Sequence, residues 1–289
     1  MSETAADAGP AAGQDPAPVA GRRPAAASGA GHERIAAAFA AAPGRAALMP
    51  YLMAGFPTRE GARAIGRAYA EQGADLVELG LPFSDPLADG PVIHDAGTRA
   101  LANGTTVADA LTLCEELAAR VPVVVMGYLN LVLARGAEAF AATLVEAGAS
   151  GLIVPDLPLE ESDEVLGACD AAGMALVGLV APTSSPERLR AIAQRARGFV
   201  YAVSVVGITG ERTALAEHVG PLLERVKVCS PVPVALGFGI STPEQAAAAA
   251  AAGAEGVIVA SRLMREAGQA QDPGAAVGAL VAGFRAALR

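Results

Sequence analysis

From residue 48 onward the chain repeats one beat, a short run rich in Val, Leu and Ile followed by a longer alanine-rich stretch carrying Glu and Arg. The runs begin near Leu48, Leu76, Val121, Gly151, Met174, Phe199, Val232 and Gly256. Short apolar runs bounded by Gly or Pro read as buried strands. The amphipathic stretches between them, at 59–72, 107–120, 137–147, 160–172, 186–197 and 243–252, read as helices, with 277–288 closing the chain. Strands that alternate with helices make right-handed crossovers and a parallel sheet. Eight such units in about 250 residues predict a (β/α)8 TIM barrel. The competitor is an open doubly wound sheet, but six strands suffice for that fold and no GxGxxG follows the first run.

The beat does not reach the N-terminus. Residues 1–30 are Ala, Gly and Pro with scattered charges and no apolar period, which predicts a disordered tail. Residues 31–289 form one barrel domain, opened by a short N-terminal helix around ERIAAAFAAA. A net charge of −9 and the lack of any Lys/Arg cluster argue against a nucleic-acid partner. The longest apolar run, 121–134, falls short of a membrane span. The first residues lack the basic start and apolar core of a secretory signal, and three widely spaced cysteines suit a reducing compartment, so a cytoplasmic protein is expected.

The stretch richest in chemistry is DLVELGLPFSDPLADGP, residues 75–91. Its apolar run 76–79 is a strand with a glutamate inside it, and period two puts Glu78 on one face with Leu76 and Gly80. A structural ion pair would need a cation, yet Lys227 is the only lysine and no arginine falls inside an apolar run. Loss of hydration would instead raise the carboxyl pKa toward the range of a proton-transfer catalyst. Asp89 lies in the loop that follows, among Pro82, Pro86, Gly90 and Pro91; alone it reads as a turn residue, and its place on the loop that Glu78 opens makes it the second candidate acid.

Late in the chain come glycine-rich elements: Thr209 and Gly210 after the sixth run, GFGIS at 237–241 with Phe238 and Gly239, and Ala260 and Ser261 after the eighth. Loops after the seventh and eighth barrel strands commonly bind phosphate through backbone N–H groups. Tyr51, Ile93, Tyr128, Tyr201 and Phe238 fall near strand ends or on the Asp89 loop, which in a chain of 4% aromatics hints at a flat apolar ligand. Lys227 lies at the wrong end of a strand for a Schiff base, and His32, His94 and His218 are too scattered to gather a metal, so no metal site is expected. His94 reads as a helix-start residue and His218 as a surface one.

At these residues the sequence resembles the tryptophan synthase alpha chain family, from about residue 33 to the C-terminus. The most specific stretch is ELGLPFSDPLADGP, supported by PYLMAGFP, MGYLN, PDLPLEE, YAVSVVGITG and GFGIS. The resemblance implies a (β/α)8 barrel that cleaves indole-3-glycerol phosphate to indole and glyceraldehyde 3-phosphate. It makes Glu78 the acid/base and Asp89 the acceptor for the indole N–H. It places phosphate at Gly210, Gly239, Ala260 and Ser261, and the indole pocket at Phe238, Tyr201, Ile93 and Ile153. Thr209 belongs to a lid that closes near Asp89. The resemblance further implies a β chain partner in an α2β2 tetramer, touching the loop around Asp85 and Pro86, and assigns any pyridoxal phosphate to that partner, with no cofactor in this chain. Three departures stand out: Ala260 where Gly-Ser is usual, Tyr51 at a position often held by Phe, and a tail without counterpart. The other readings are a stand-alone lyase, a catalytically silent partner of the β chain, and a different phosphate-binding barrel such as a sugar-phosphate isomerase; the ADGP loop tells against the last.

Overall fold

The computed structural model describes residues 30–203, 212–237 and 239–289. The expected tail, Thr209, Gly210 and Phe238 lie outside these residues.

Among the described residues nine parallel strands run β1 (Ala47–Met53), β2 (Val77–Gly80), β3 (Val123–Met126), β4 (Gly151–Ile153), β5 (Ala175–Leu176), β6 (Gly178–Val180), β7 (Val200–Val203), β8 (Val234–Gly237) and β9 (Gly256–Val259). Their order is β5-β4-β3-β2-β1-β9-β8-β7-β6. The two ends of that order are neighbours in sequence, because the single apolar run at 174–180 is cut at Val177. Its first half pairs with β4 and its second with β7, so one run closes the ring. The nine strands are therefore the eight expected units, and the cut marks where a staggered strand hands its hydrogen bonds from one neighbour to the next.

Around the ring lie α1 (Gly31–Ala40), α2 (Arg59–Glu71), α3 (Pro91–Ala102), α4 (Val107–Ala118), α5 (Leu129–Leu133), α6 (Ala137–Glu146), α7 (Asp163–Ala171), α8 (Pro186–Arg195), α9 (Arg212–Lys227), α10 (Pro243–Ala251), α11 (Ser261–Gln269) and α12 (Pro273–Ala287). The helical stretches read from the pattern leave out α3, α5, α9 and α11; for α3, a helix start is expected at His94, while Gly90 and Pro91 read as breakers of regular structure. Gly90 is instead its N-cap and Pro91 its first residue, a position where the missing N–H costs nothing.

Side chains that alternate along the strands make two cores. Met49, Leu76, Val124, Ile153, Val177, Phe199, Ala235 and Ile258 fill the barrel, while the opposite set packs under the helices. Helix α1 belongs to the inner core: Ile35 is fully buried there, and Arg34 donates to the carbonyls of Gly148 (2.9 Å) and Ala118 (2.8 Å). These contacts plug the N-terminal end of the barrel. Nearby, Asp75 accepts both Arg45 guanidinium nitrogens at 2.7 Å, Arg285 at 3.3 Å and the Leu48 N–H at 2.8 Å. One carboxylate thus ties the entry to β1, the start of β2 and the last helix.

Candidate active site

The C-terminal ends of the strands open into a cavity of about 570 Å³. Glu78 stands in its wall, in register with Tyr51 on β1 and Val124 on β3, and is 2% exposed. Its Oε2 is buried without a hydrogen-bond partner. Burial first, and the charge of Asp89 second, push its pKa from an ordinary 4.5 to about 8. An acid of that strength holds its proton at neutral pH and can still release it.

Asp89 reaches the same cavity from the loop after β2. Partial burial raises its pKa; a hydrogen bond from Tyr128 and the charge of His94 pull the other way. The Tyr128 hydroxyl also accepts the Ala88 N–H at 3.1 Å, and its ring stacks on Phe83 at 5.3 Å. One phenol therefore holds both the backbone and the carboxylate of the Asp89 loop. Tyr128 was legible only as an aromatic near a strand end; the partner it grips lies 40 residues away, and no local pattern joins them.

Every other described candidate lines this cavity: Ile93, Ile153, Tyr201, Gly239, Ala260 and Ser261. Ile93 sits in the first turn of α3, in chain directly behind Asp89, and Ile153 at the end of β4. Tyr201 is 5% exposed, and its hydroxyl lies over Gly237, where a Cβ would overlap it. Gly239 has φ of +82°, a left-handed backbone that favours glycine. His94 occupies the start of α3, as expected.

Two helix starts follow β8 and β9, which lie beyond β1 from β2 in the ring. The N-terminus of α10 is closed by its own capping box, Thr242 with Gln245. That of α11 has no side-chain cap, and its N-cap residue Ala260 and first residue Ser261 face the cavity. Uncapped N–H groups and the positive end of the helix dipole suit an anion. Ala260 has φ of −117°, so its methyl group needs no strained backbone at this departure from the family pattern.

A closed parallel barrel whose cavity holds two carboxyl groups with raised pKa and an uncapped helix start is an arrangement suited to acid–base chemistry on an apolar ligand with an anionic end. The family model described as tryptophan synthase alpha chain matches residues 38–284. The chain is 51% identical over 232 residues to the tryptophan synthase alpha chain of Gloeobacter violaceus, covering 79% of this chain and 84% of that one. It is 48% identical to that of Phenylobacterium zucineum over 244 residues, 83% and 88% of the two chains. A structure of Mycobacterium tuberculosis tryptophan synthase superposes with a TM-score of 0.81 at 39% identity, covering 89% of this chain and 98% of the other. A chain of the Pyrococcus furiosus tryptophan synthase α2β2 complex gives 0.79 at 33%, covering 84% and 98%. The protein belongs to the tryptophan synthase alpha chain family.

Proposed function

We propose that this chain cleaves indole-3-glycerol phosphate to indole and glyceraldehyde 3-phosphate as a carbon–carbon lyase. The observation that carries the reading is Glu78, buried in the cavity wall beside Asp89 with a pKa raised to about 8. Its proton goes to C3 of the indole ring, leaving a cationic indolenine. Asp89 accepts the ring N–H and stabilises the charge that gathers on that nitrogen. The Glu78 carboxylate then takes the proton of the glycerol hydroxyl next to C3. The carbon–carbon bond breaks, its electron pair returns to the ring, and the hydroxyl carbon leaves as the aldehyde. The net change moves one proton from oxygen to carbon and restores Glu78. The ring nitrogen is the electron sink, so the chemistry asks for neither an imine nor a metal.

Ile93, Ile153 and Tyr201, which line the cavity, would hold the ring. The phosphate would lie on the N–H groups at Gly239, Ala260 and Ser261. Indole would pass to a tryptophan synthase β chain in an α2β2 assembly, where pyridoxal phosphate resides. Leu87, 89% exposed on the loop with Asp85 and Pro86, supports a docking role for that loop. No helix among the described residues is long and apolar enough to cross a membrane, and the cytoplasm is the proposed location. The test is indole release from indole-3-glycerol phosphate by the purified chain, with and without β subunit. A silent partner would release none under either condition.

A further inference from the structure

Tyr51 enters the cavity from β1 in register with Glu78 on β2. Adjacent strands lie about 4.8 Å apart and registered residues of a parallel pair share a face, so phenol and carboxyl project side by side. Tyr51 is 2% exposed, and its ring runs forward over Gly80, where a Cβ would overlap the hydroxyl oxygen. That hydroxyl donates to Met53 Sδ at 3.9 Å. A thioether is a weak acceptor. On the neighbouring strand, Glu78 Oε2 is buried with no partner at all. A buried donor resting on a weak acceptor therefore stands next to a buried acceptor that lacks a donor, and burying either group without a good partner is costly.

We propose that Tyr51 is a positioning residue for Glu78: its hydroxyl rests on Met53 while Glu78 is protonated and turns to Oε2 when the carboxyl gives up its proton. The inference builds on the reading of Glu78 as the acid/base. A neutral donor suits that role. It stabilises the buried anion enough for the proton to leave, without holding the carboxyl ionised as a lysine or arginine would. Tyr51 keeps its own proton, since burial and the charges of Asp89 and Glu78 push its pKa well above the ordinary phenol range. The other titratable groups around Glu78 are Asp89 on the loop after β2, Tyr128 after β3 and Tyr201 on β7, with His94 on α3 bearing on Asp89. Of these, Asp89 disfavours the Glu78 anion and Tyr128 is engaged with Ala88 and Asp89.

Tyr51→Phe keeps the ring and removes the donor, so the ionised carboxyl loses support and its pKa rises. Two readouts follow it: a carbon-13 NMR titration of labelled glutamate carboxyls in the ligand-free chain, assigned against Glu78→Gln, and the pH profile of kcat for indole release in the complex with β subunit. Both midpoints should move up by about half a unit or more, with kcat falling several-fold and KM changing less than about twofold. Met53→Leu removes the thioether and keeps the phenol, and should leave both midpoints in place. A Tyr51→Phe titration that overlays the wild type would overturn the inference, as would an equal shift in Met53→Leu. If the wild-type chain releases no indole, the functional reading fails, while the NMR titration still decides whether Tyr51 and Glu78 are paired.

Discussion

Glu78 brings an expensive group into the barrel, and its cost depends on pH. Its folded pKa of about 8 stands above the ordinary 4.5, so the folded state holds the proton more tightly than the unfolded chain does. The sign follows from linkage: the stability it allows is fully present below about 4.5 and is lost as pH rises toward and through 8. Glu78→Gln has no proton to lose. The variant should match the wild type in urea unfolding near pH 4 and exceed it by a few kcal/mol near pH 9. Its turnover should fall by roughly a hundredfold or more, the usual worth of a general acid/base. In the wild type, release should decline on the alkaline side as Glu78 loses its proton near pH 8. Tyr128→Phe takes the donor from Asp89 and the acceptor from the Ala88 N–H, and should lower kcat/KM by roughly tenfold. Glu78 was legible because a carboxylate in an apolar run with no cation to pair demands an explanation, and Asp89 only through its place on the loop that Glu78 opens. Tyr128 and Tyr51 were legible as aromatics near strand ends but not in their roles, which come from contacts across strands and loops.

Elements were legible to the extent that each carried its own period. The apolar runs and most helices stand where the pattern puts them, and the run at 174–180 is one strand in sequence although it pairs in two halves. The start of helix α3 was expected near His94 rather than at Pro91, because the turn chemistry of Gly90 and Pro91 is the same chemistry that starts a helix. The clamp that binds these elements at the closed end is invisible locally, since Asp75 and Arg285 lie 210 residues apart. Asp75→Ala would strand two half-buried arginines and free the Leu48 N–H; it should lower unfolding stability by about 3 kcal/mol while leaving indole release intact at temperatures where the fold holds. At the open end, Gly80→Ala would drive a methyl group into the space of the Tyr51 hydroxyl and push the ring into the cavity. Loss of turnover in a protein that still melts cooperatively is the expected result there.

At the scale of the whole molecule, the barrel separates two tasks. The plugged end, with α1, Arg34 and the Asp75 clamp, carries stability. The open end carries the under-partnered groups, Oε2 of Glu78 and the uncapped start of α11, and the left-handed Gly239. The overall architecture was legible because repetition of a single strand–helix unit leaves few alternatives. The choice of reaction does not follow from the barrel, since many barrels bind phosphate; it was legible only through the motif around Glu78 and Asp89 and the family that motif resembles, and it rests on that pair and on family membership. The most direct test of that choice is indole release from indole-3-glycerol phosphate by the wild-type chain and by Glu78→Gln, each alone and with tryptophan synthase β subunit. The account predicts release by the wild type, increased by the β subunit, and nearly abolished in a Glu78→Gln protein that remains folded and binds substrate. Release by Glu78→Gln at close to the wild-type rate would contradict it.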